Sequence, residues 1–108
     1  MHCGAGPLLD CDEHARMILI NCDDLGLAPE VTSATLAALR SGTATSATLI
    51  VPATGAAEAA ARTRGEAIGV HLTLNSEWES DRWRPLTPAQ SLCDSDGSLC
   101  RRPQDTCA

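Results

Sequence analysis

The stretch "MILINCDDLGLAPEV", residues 17–31, contains the point at which an apolar run changes into two adjacent acids. Residues 17–22 are apolar and rich in isoleucine, which is typical of a short strand buried on both faces. Asp23 and Asp24 follow directly. Pro29 then suits the first turn of a helix, where its missing N–H group would have no partner anyway. The stretch therefore predicts a strand that surfaces at two carboxylates and leads into a helix.

Strand and helix patterns continue to alternate as far as residue 75. Gly42 suits the position just after a helix, and Thr54 suits the N-cap of the next one. The predicted elements, in chain order, are a strand at 17–22, a helix at 29–42, a strand at 43–51, a helix at 54–65 and a strand at 67–75. This β-α-β-α-β order predicts an α/β fold with a parallel sheet and right-handed crossovers.

The flanking segments lack such periodicity. Residues 1–15 are predicted to be an N-terminal tail, and residues 16–108 to form one α/β domain. Within that domain, residues 75–91 are polar, contain two prolines and hold both tryptophans of the chain. A loop so long and so mixed in composition is typical of a functional segment, so we predict an active-site loop there. A turn is predicted at Asp96-Gly97.

Composition excludes several classes of partner. The chain has 108 residues, a net charge of −6 and no lysine. An acidic surface without a basic stripe argues against binding to nucleic acid or to an anionic membrane. No apolar run approaches the roughly 20 residues that span a bilayer, and the N-terminus lacks the features of a secretory signal. We therefore expect a soluble cytoplasmic protein.

The six cysteines do not indicate a metal site or a disulfide framework. They include no CxxC pair, which structural zinc sites usually have. A chain without an export signal is also a poor candidate for disulfides. We interpret the cysteines as incidental thiols.

The chemistry indicated by the pattern lies at one edge of the sheet. Ligands bind outside the carboxyl ends of parallel strands. Asp23 and Asp24 follow the first predicted strand, and His71 lies late in the third, so all three belong to that edge. Two carboxylates and an imidazole can hold a divalent metal ion. Successive strand residues point to opposite sides, so one acid is expected to bind the ion while the other accepts a proton. Alternatively, the acids are capping or turn residues and the histidine belongs to the core.

Four segments together resemble the YdjC/ChbG-type carbohydrate deacetylase family, in the order that the family shows. They are "ILINCDDLGLAPEV" (18–31), "SGTATSATLIVP" (41–52), "GVHLTLNSEWE" (69–79) and "RWRPL" (82–86). The resemblance covers roughly residues 17–103. Cys22 and Leu25 depart from the family pattern, which usually has alanine and phenylalanine there, and both are apolar replacements.

The resemblance implies the first part of a (β/α) barrel-like fold and a metal-dependent hydrolase that removes an N-acetyl group from an amino sugar or oligosaccharide. It implies that Asp24 and His71 bind a Mg²⁺ or Zn²⁺ ion and that Asp23 is the general base that activates water, although the roles of the two acids could be reversed. The substrate partner would be an N-acetylated sugar.

Family members are more than twice as long as this chain and supply a further histidine ligand. The alternative is therefore a catalytically inactive truncated fragment or a half-subunit. Its expected partner is a missing C-terminal half or, in a homo-oligomer, further copies of the chain.

Overall fold

The computed structural model describes residues 16–106, so the tail predicted at 1–15 lies outside the described part. The elements are β1 (Asn21–Leu25), α1 (Pro29–Arg40), β2 (Ser46–Leu49), α2 (Ala56–Arg62) and β3 (Ile68–Val70), followed by 3₁₀ turns at Gln90–Leu92 and Pro103–Thr106. The three strands form one sheet in the order β1-β2-β3, and both neighbouring pairs are parallel. The predicted α/β class and β-α-β-α-β order are confirmed, and the arrangement fits the first part of a barrel-like fold.

The first strand begins later than predicted. β1 starts at Asn21, whereas the side chains of residues 17–20 are 50% to 80% exposed. The prediction of a strand at 17–22 buried on both faces is therefore wrong. β2 begins only at Ser46, and just before it Thr45 N donates to the carbonyl oxygen of Ile20, 2.8 Å away. Residues 17–20 therefore extend past the beginning of β2, the strand on which they would pack.

A glycine lies at one end of each helix, and each has a structural reason. α1 begins at Pro29, and Gly42 follows it with a φ of 74°, as the predicted C′ glycine requires. The N-cap of α2 is Gly55 rather than the predicted Thr54. A Cβ atom at position 55 would lie 2.5 Å from the carbonyl oxygen of Gly26, so the close approach of these two loops requires glycine there.

One face of the sheet packs against the helices and the other carries polar side chains. Leu25, Ala47 and Ala59 form the centre of the helix-facing core. The half-buried residues packed around that centre are Cys22, Leu39, Leu49 and Ile68. Ala47, Ala59 and Cys22 are small, so each of these three buries little apolar area.

Trp83 fixes the loop after β3 against the carboxyl end of β2. Its indole packs in a second apolar cluster with Ile50, Ala53 and Leu99. Its Nε1 donates a hydrogen bond to the carbonyl oxygen of Asn75, 3.1 Å away. The predicted loop at 75–91 contains no α-helix or strand and reaches only the first residues of the 3₁₀ turn at Gln90–Leu92. The loop therefore lies beside the strand ends, where ligands of parallel sheets bind.

A short turn and an ion pair hold the far end of this loop. Gly97 N donates to the carbonyl oxygen of Asp94, which confirms the predicted turn at Asp96-Gly97. Arg82 contacts the Asp94 carboxylate and donates to the carbonyl oxygen of Leu99. The hydrogen bond with Asp94 raises the pKa of Arg82, and hydrogen bonds with Asp94 and Ser98 lower the pKa of Asp96 to about 2. Arg82 and Asp96 are therefore charged at neutral pH.

Within residues 16–106, Cys22, Cys93 and Cys100 are free thiols. Burial raises the pKa of the Cys100 thiol. None of the helices in the described part of the chain is long and apolar enough to cross a membrane.

The helix-facing core depends on Leu25, whose side chain is 0% exposed. We expect Leu25→Ala to lower the free energy of unfolding by about 2–5 kcal/mol, because it removes buried methyl groups and leaves a cavity. The matched control is Leu19→Ala, since Leu19 is 77% exposed; it should change stability by less than about 0.5 kcal/mol. Urea denaturation followed by far-ultraviolet circular dichroism measures both. Equal losses in the two variants would contradict this description of the core.

Candidate metal and catalytic site

A bulge in β1 determines the geometry of the two acids. Cys22 pairs with Ala47 and Leu25 pairs with Leu49, so Asp23 and Asp24 together lie opposite the single residue Thr48. Asp24 also has a φ of 62°, in the left-handed region that residues other than glycine rarely adopt. Bulges of this kind re-aim side chains and are common beside active sites.

The bulge brings both acids to the same side of the sheet. Thr48 Oγ1 donates to Asp23 Oδ1 at 3.0 Å and lies 3.1 Å from His71 Nδ1. His71 Nε2 in turn lies 3.6 Å from Asp24 Oδ1. The expectation that strand alternation sends the acids to opposite sides is therefore wrong, because the extra residue and the positive φ interrupt the alternation. The structure places Asp23, Asp24 and His71 together at the carboxyl rim.

The hydrogen bonds indicate which nitrogen of a neutral His71 carries the proton. Ionised Asp23 can only accept, so the single hydroxyl proton of Thr48 is donated to Asp23. The hydroxyl oxygen then accepts the Nδ1–H of His71. In this tautomer the lone pair of Nε2 faces the carboxylate of Asp24 with no proton between them. Two such acceptors facing each other are an arrangement that can bind a cation.

The donor atoms fit a divalent ion, but the set is small. A zinc ion about 2.0–2.2 Å from each of two tetrahedral ligands places those ligands about 3.4 Å apart. The observed 3.6 Å between Asp24 Oδ1 and His71 Nε2 is close to that spacing. Residues 16–106 contain no cluster of three or more His, Cys, Asp or Glu side chains able to hold a metal. The described residues would thus supply two ligands to such an ion.

Asp24 and His71 line a small cleft of about 50 Å³. Its other walls come from the end of β2 and from the loop after β3, and include Leu72, Asn75, Glu77, Trp78 and Trp83. Two larger depressions, of about 520 and 540 Å³, are lined by later parts of the chain and contain neither Asp24 nor His71. A third, of about 290 Å³, is lined by His71 but not by Asp24. We assign the site to the small cleft because both Asp24 and His71 line it.

Thr48 is the site residue that the sequence analysis did not identify. It joins the side chains of Asp23 and His71, and its neighbour Asn21 donates a second hydrogen bond to Asp23 Oδ1 at 2.7 Å. A signal for this role was present in "SATL" (46–49), where small polar and apolar residues alternate. That alternation predicts Ser46 and Thr48 on one face of the strand.

Comparison with known proteins gives consistent matches. A model of the family of YdjC-like proteins matches residues 17–107. A carbohydrate deacetylase of Thermus thermophilus is 38% identical over 82 residues, which are 76% of this chain and 28% of that protein. The chain therefore spans less than a third of the length of the curated relative that it matches.

The left-handed conformation of Asp24 predicts that glycine substitutions at the two acids change the free energy of unfolding differently. Asp24→Gly should leave the free energy of unfolding unchanged or raise it by up to about 1 kcal/mol, because relief of the positive φ offsets the extra freedom of glycine in the unfolded chain. Asp23→Gly should lower it by about 1–2 kcal/mol, because it loses the hydrogen bonds from Asn21 and Thr48. Chemical denaturation compares the pair. Equal losses would show that Asp24 is not strained.

Proposed function

Because this chain belongs to the family of YdjC-like proteins, we propose that it carries part of the active site of a metal-dependent carbohydrate deacetylase. The reaction would be hydrolysis of the N-acetyl group of an amino sugar or oligosaccharide. The name of the Thermus relative supports this substrate class. The observation that carries the proposal is the series of contacts that runs from Asp23 through Thr48 and His71 to Asp24.

In this proposal Asp24 and His71 hold the divalent ion. When bound, the ion would supply a Lewis acid that polarises the amide carbonyl and makes a water molecule more acidic. The choice of ion follows from the donors: a carboxylate suits Mg²⁺ or Zn²⁺, whereas an imidazole suits Zn²⁺ better than Mg²⁺. Thr48 would hold the His71 ring in the tautomer that leaves Nε2 free.

Asp23 would act as the general base. Its Oδ1 accepts hydrogen bonds from Asn21 and Thr48, which fix the orientation of the carboxylate at the rim. The carboxylate would take a proton from the water whose oxygen attacks the acetyl carbonyl carbon. The carbon–nitrogen bond then breaks, the proton passes to the departing amine, and acetate is the second product.

A second candidate is an incomplete site, as in an inactive fragment or a half-subunit. Two observations support it. The described residues contain no third ligand close to Asp24 and His71, and large apolar side chains are exposed on and next to β3, among them Val70 and Leu72. Both features would be resolved by further polypeptide, either a C-terminal part of the fold or a second copy, that packs beside β3 and supplies another ligand.

Metal binding tests the roles of Asp24 and His71. A divalent ion at ten times its dissociation constant stabilises the folded chain by about 1.4 kcal/mol. This corresponds to a rise in melting temperature of about 6–10 °C for a domain of this size. We expect Zn²⁺ to give such a rise in the chain and in His14→Asn, the matched loss of a histidine that belongs to none of the four family-like segments. His71→Asn should abolish the rise. A rise that survives in His71→Asn but not in His14→Asn would place the ion elsewhere.

The role of Thr48 has its own test. Thr48→Val keeps the shape of the side chain but removes the hydroxyl, and loss of a group that orients a metal ligand typically weakens binding by about 10–100-fold. Thr43→Val is the control, because Thr43 is exposed in the turn after α1 and contacts only Ser41 through its hydroxyl. Calorimetric titration with Zn²⁺ compares the dissociation constants. Equal dissociation constants in the two variants would contradict a role for Thr48 in metal binding.

Acetate release tests the reaction itself. In a chimera, the matched segment of this chain would replace the corresponding 28% of the Thermus deacetylase. We expect the chimera to release acetate from N,N′-diacetylchitobiose, and Asp23→Asn to lower kcat by about 100-fold or more. The isolated chain should show little turnover, because two ligands hold an ion weakly. A folded, metal-binding chimera that releases no acetate would contradict the proposed function.

A further inference from the structure

Trp78 is unusual among the apolar residues of the chain, because a large exposed indole lies on a polar loop at the candidate site. Its side chain is 53% exposed, whereas Trp83, five residues later, is 4% exposed. Both line the cleft that contains Asp24 and His71. Trp83 has a clear structural role in the second apolar cluster, whereas the exposed position of Trp78 does not serve the core.

The segment that carries Trp78 is anchored on both sides. Ser76 is completely buried, and its backbone N–H donates to the carbonyl oxygen of Cys100 at 2.9 Å. Its hydroxyl donates to the carbonyl oxygen of Asp81 and accepts the backbone N–H of Trp83 at 3.2 Å. These bonds close residues 76–83 into a small loop with Trp78 on its outer side. An aromatic ring presented in this way loses little freedom when a ligand packs on it.

The size of the cleft indicates which part of a substrate lies where. A volume of about 50 Å³ leaves room for only a few water-sized groups. An acetyl group has three heavy atoms and is of that order, whereas a sugar ring is several times larger. With the acetyl group beside Asp24 and His71, the ring must remain at the mouth of the cleft, where Trp78 is exposed.

We propose that the indole of Trp78 is the surface on which the sugar ring of the N-acetylated substrate stacks. The C–H bonds on one face of a pyranose ring form an apolar surface that matches an aromatic face. Asn75 and Glu77 line the same cleft and offer polar groups to the ring substituents. This inference rests on the proposed deacetylase function and adds a residue that determines substrate affinity.

The proposal distinguishes Trp78 from the other exposed apolar side chains. Leu86 is 71% exposed and belongs to the same loop, but it does not line the cleft that contains Asp24. Stacking on the indole therefore predicts a loss of sugar affinity for Trp78→Ala and none for Leu86→Ala. The conservative variant Trp78→Phe keeps an aromatic face and should keep most of the affinity.

The test is binding of N,N′-diacetylchitobiose to the 108-residue chain, followed by ligand-observed nuclear magnetic resonance. We expect Trp78→Ala to raise the dissociation constant about tenfold, Trp78→Phe to raise it less than about threefold, and Leu86→Ala to leave it unchanged. Trp83 is the remaining fluorophore in Trp78→Ala, so its buried emission verifies that the variant is folded. In Trp83→Phe, where Trp78 is the remaining fluorophore, the sugar should change the emission in a saturable manner.

The outcomes separate this proposal from the proposed function. If folded Trp78→Ala binds the sugar within about twofold of the parent chain, the stacking proposal is overturned, whatever the chimera does. If the parent chain gives no saturable binding, the stacking proposal is likewise overturned. If binding depends on Trp78 while the metal-loaded chimera releases no acetate, the sugar subsite stands and the deacetylase function fails.

Discussion

The extra residue that β1 carries opposite Thr48 is the constraint on which both faces of the sheet depend. In a regular strand Asn21, Asp23 and Leu25 would point to one side, and Leu25 would leave the core. The bulge lets Cys22 and Leu25 pair with Ala47 and Leu49, so both reach the helix-facing side. The same insertion leaves Asp23 and Asp24 at the polar rim. Core packing and the convergence of the acids thus have one common cause.

This arrangement strains the backbone of Asp24, which adopts a positive φ. Strain at a residue of this kind persists only where the surrounding structure enforces it, and it is common at functional sites. Here the neighbouring structure includes the bulge and the close approach of Gly55 to Gly26. In return, a carboxylate oxygen faces His71 Nε2 at 3.6 Å, and Thr48 links the other ring nitrogen to Asp23.

Much of this architecture could be predicted from local patterns. The element order, the glycine after α1 and the turn at Asp96-Gly97 follow from chain chemistry that acts over a few residues. The start of β1 could not be predicted, because it depends on where β2 begins. The shared side of the two acids could not be predicted either, because a bulge is a relation between two strands. The bridging role of Thr48 could be predicted only in part. The alternation of polar and apolar residues in β2 predicts which face Thr48 lies on, but not that Asp23 and His71 are its partners.

The central claim is that the bulge gathers Asp23, Asp24 and His71 at one rim, where we propose that Asp24 and His71 bind a divalent ion. Paramagnetic broadening by Mn²⁺, added well below one equivalent to the ¹⁵N-labelled chain, tests it most directly. The account predicts that the amide signals of Asp23, Asp24, Thr48 and His71 broaden together, while those of Ser41 and Glu66, which precede β2 and β3 at the opposite end of the sheet, stay sharp. Broadening centred on the acidic turn at Asp94–Asp96, with the β1 and β3 signals unaffected, would contradict it.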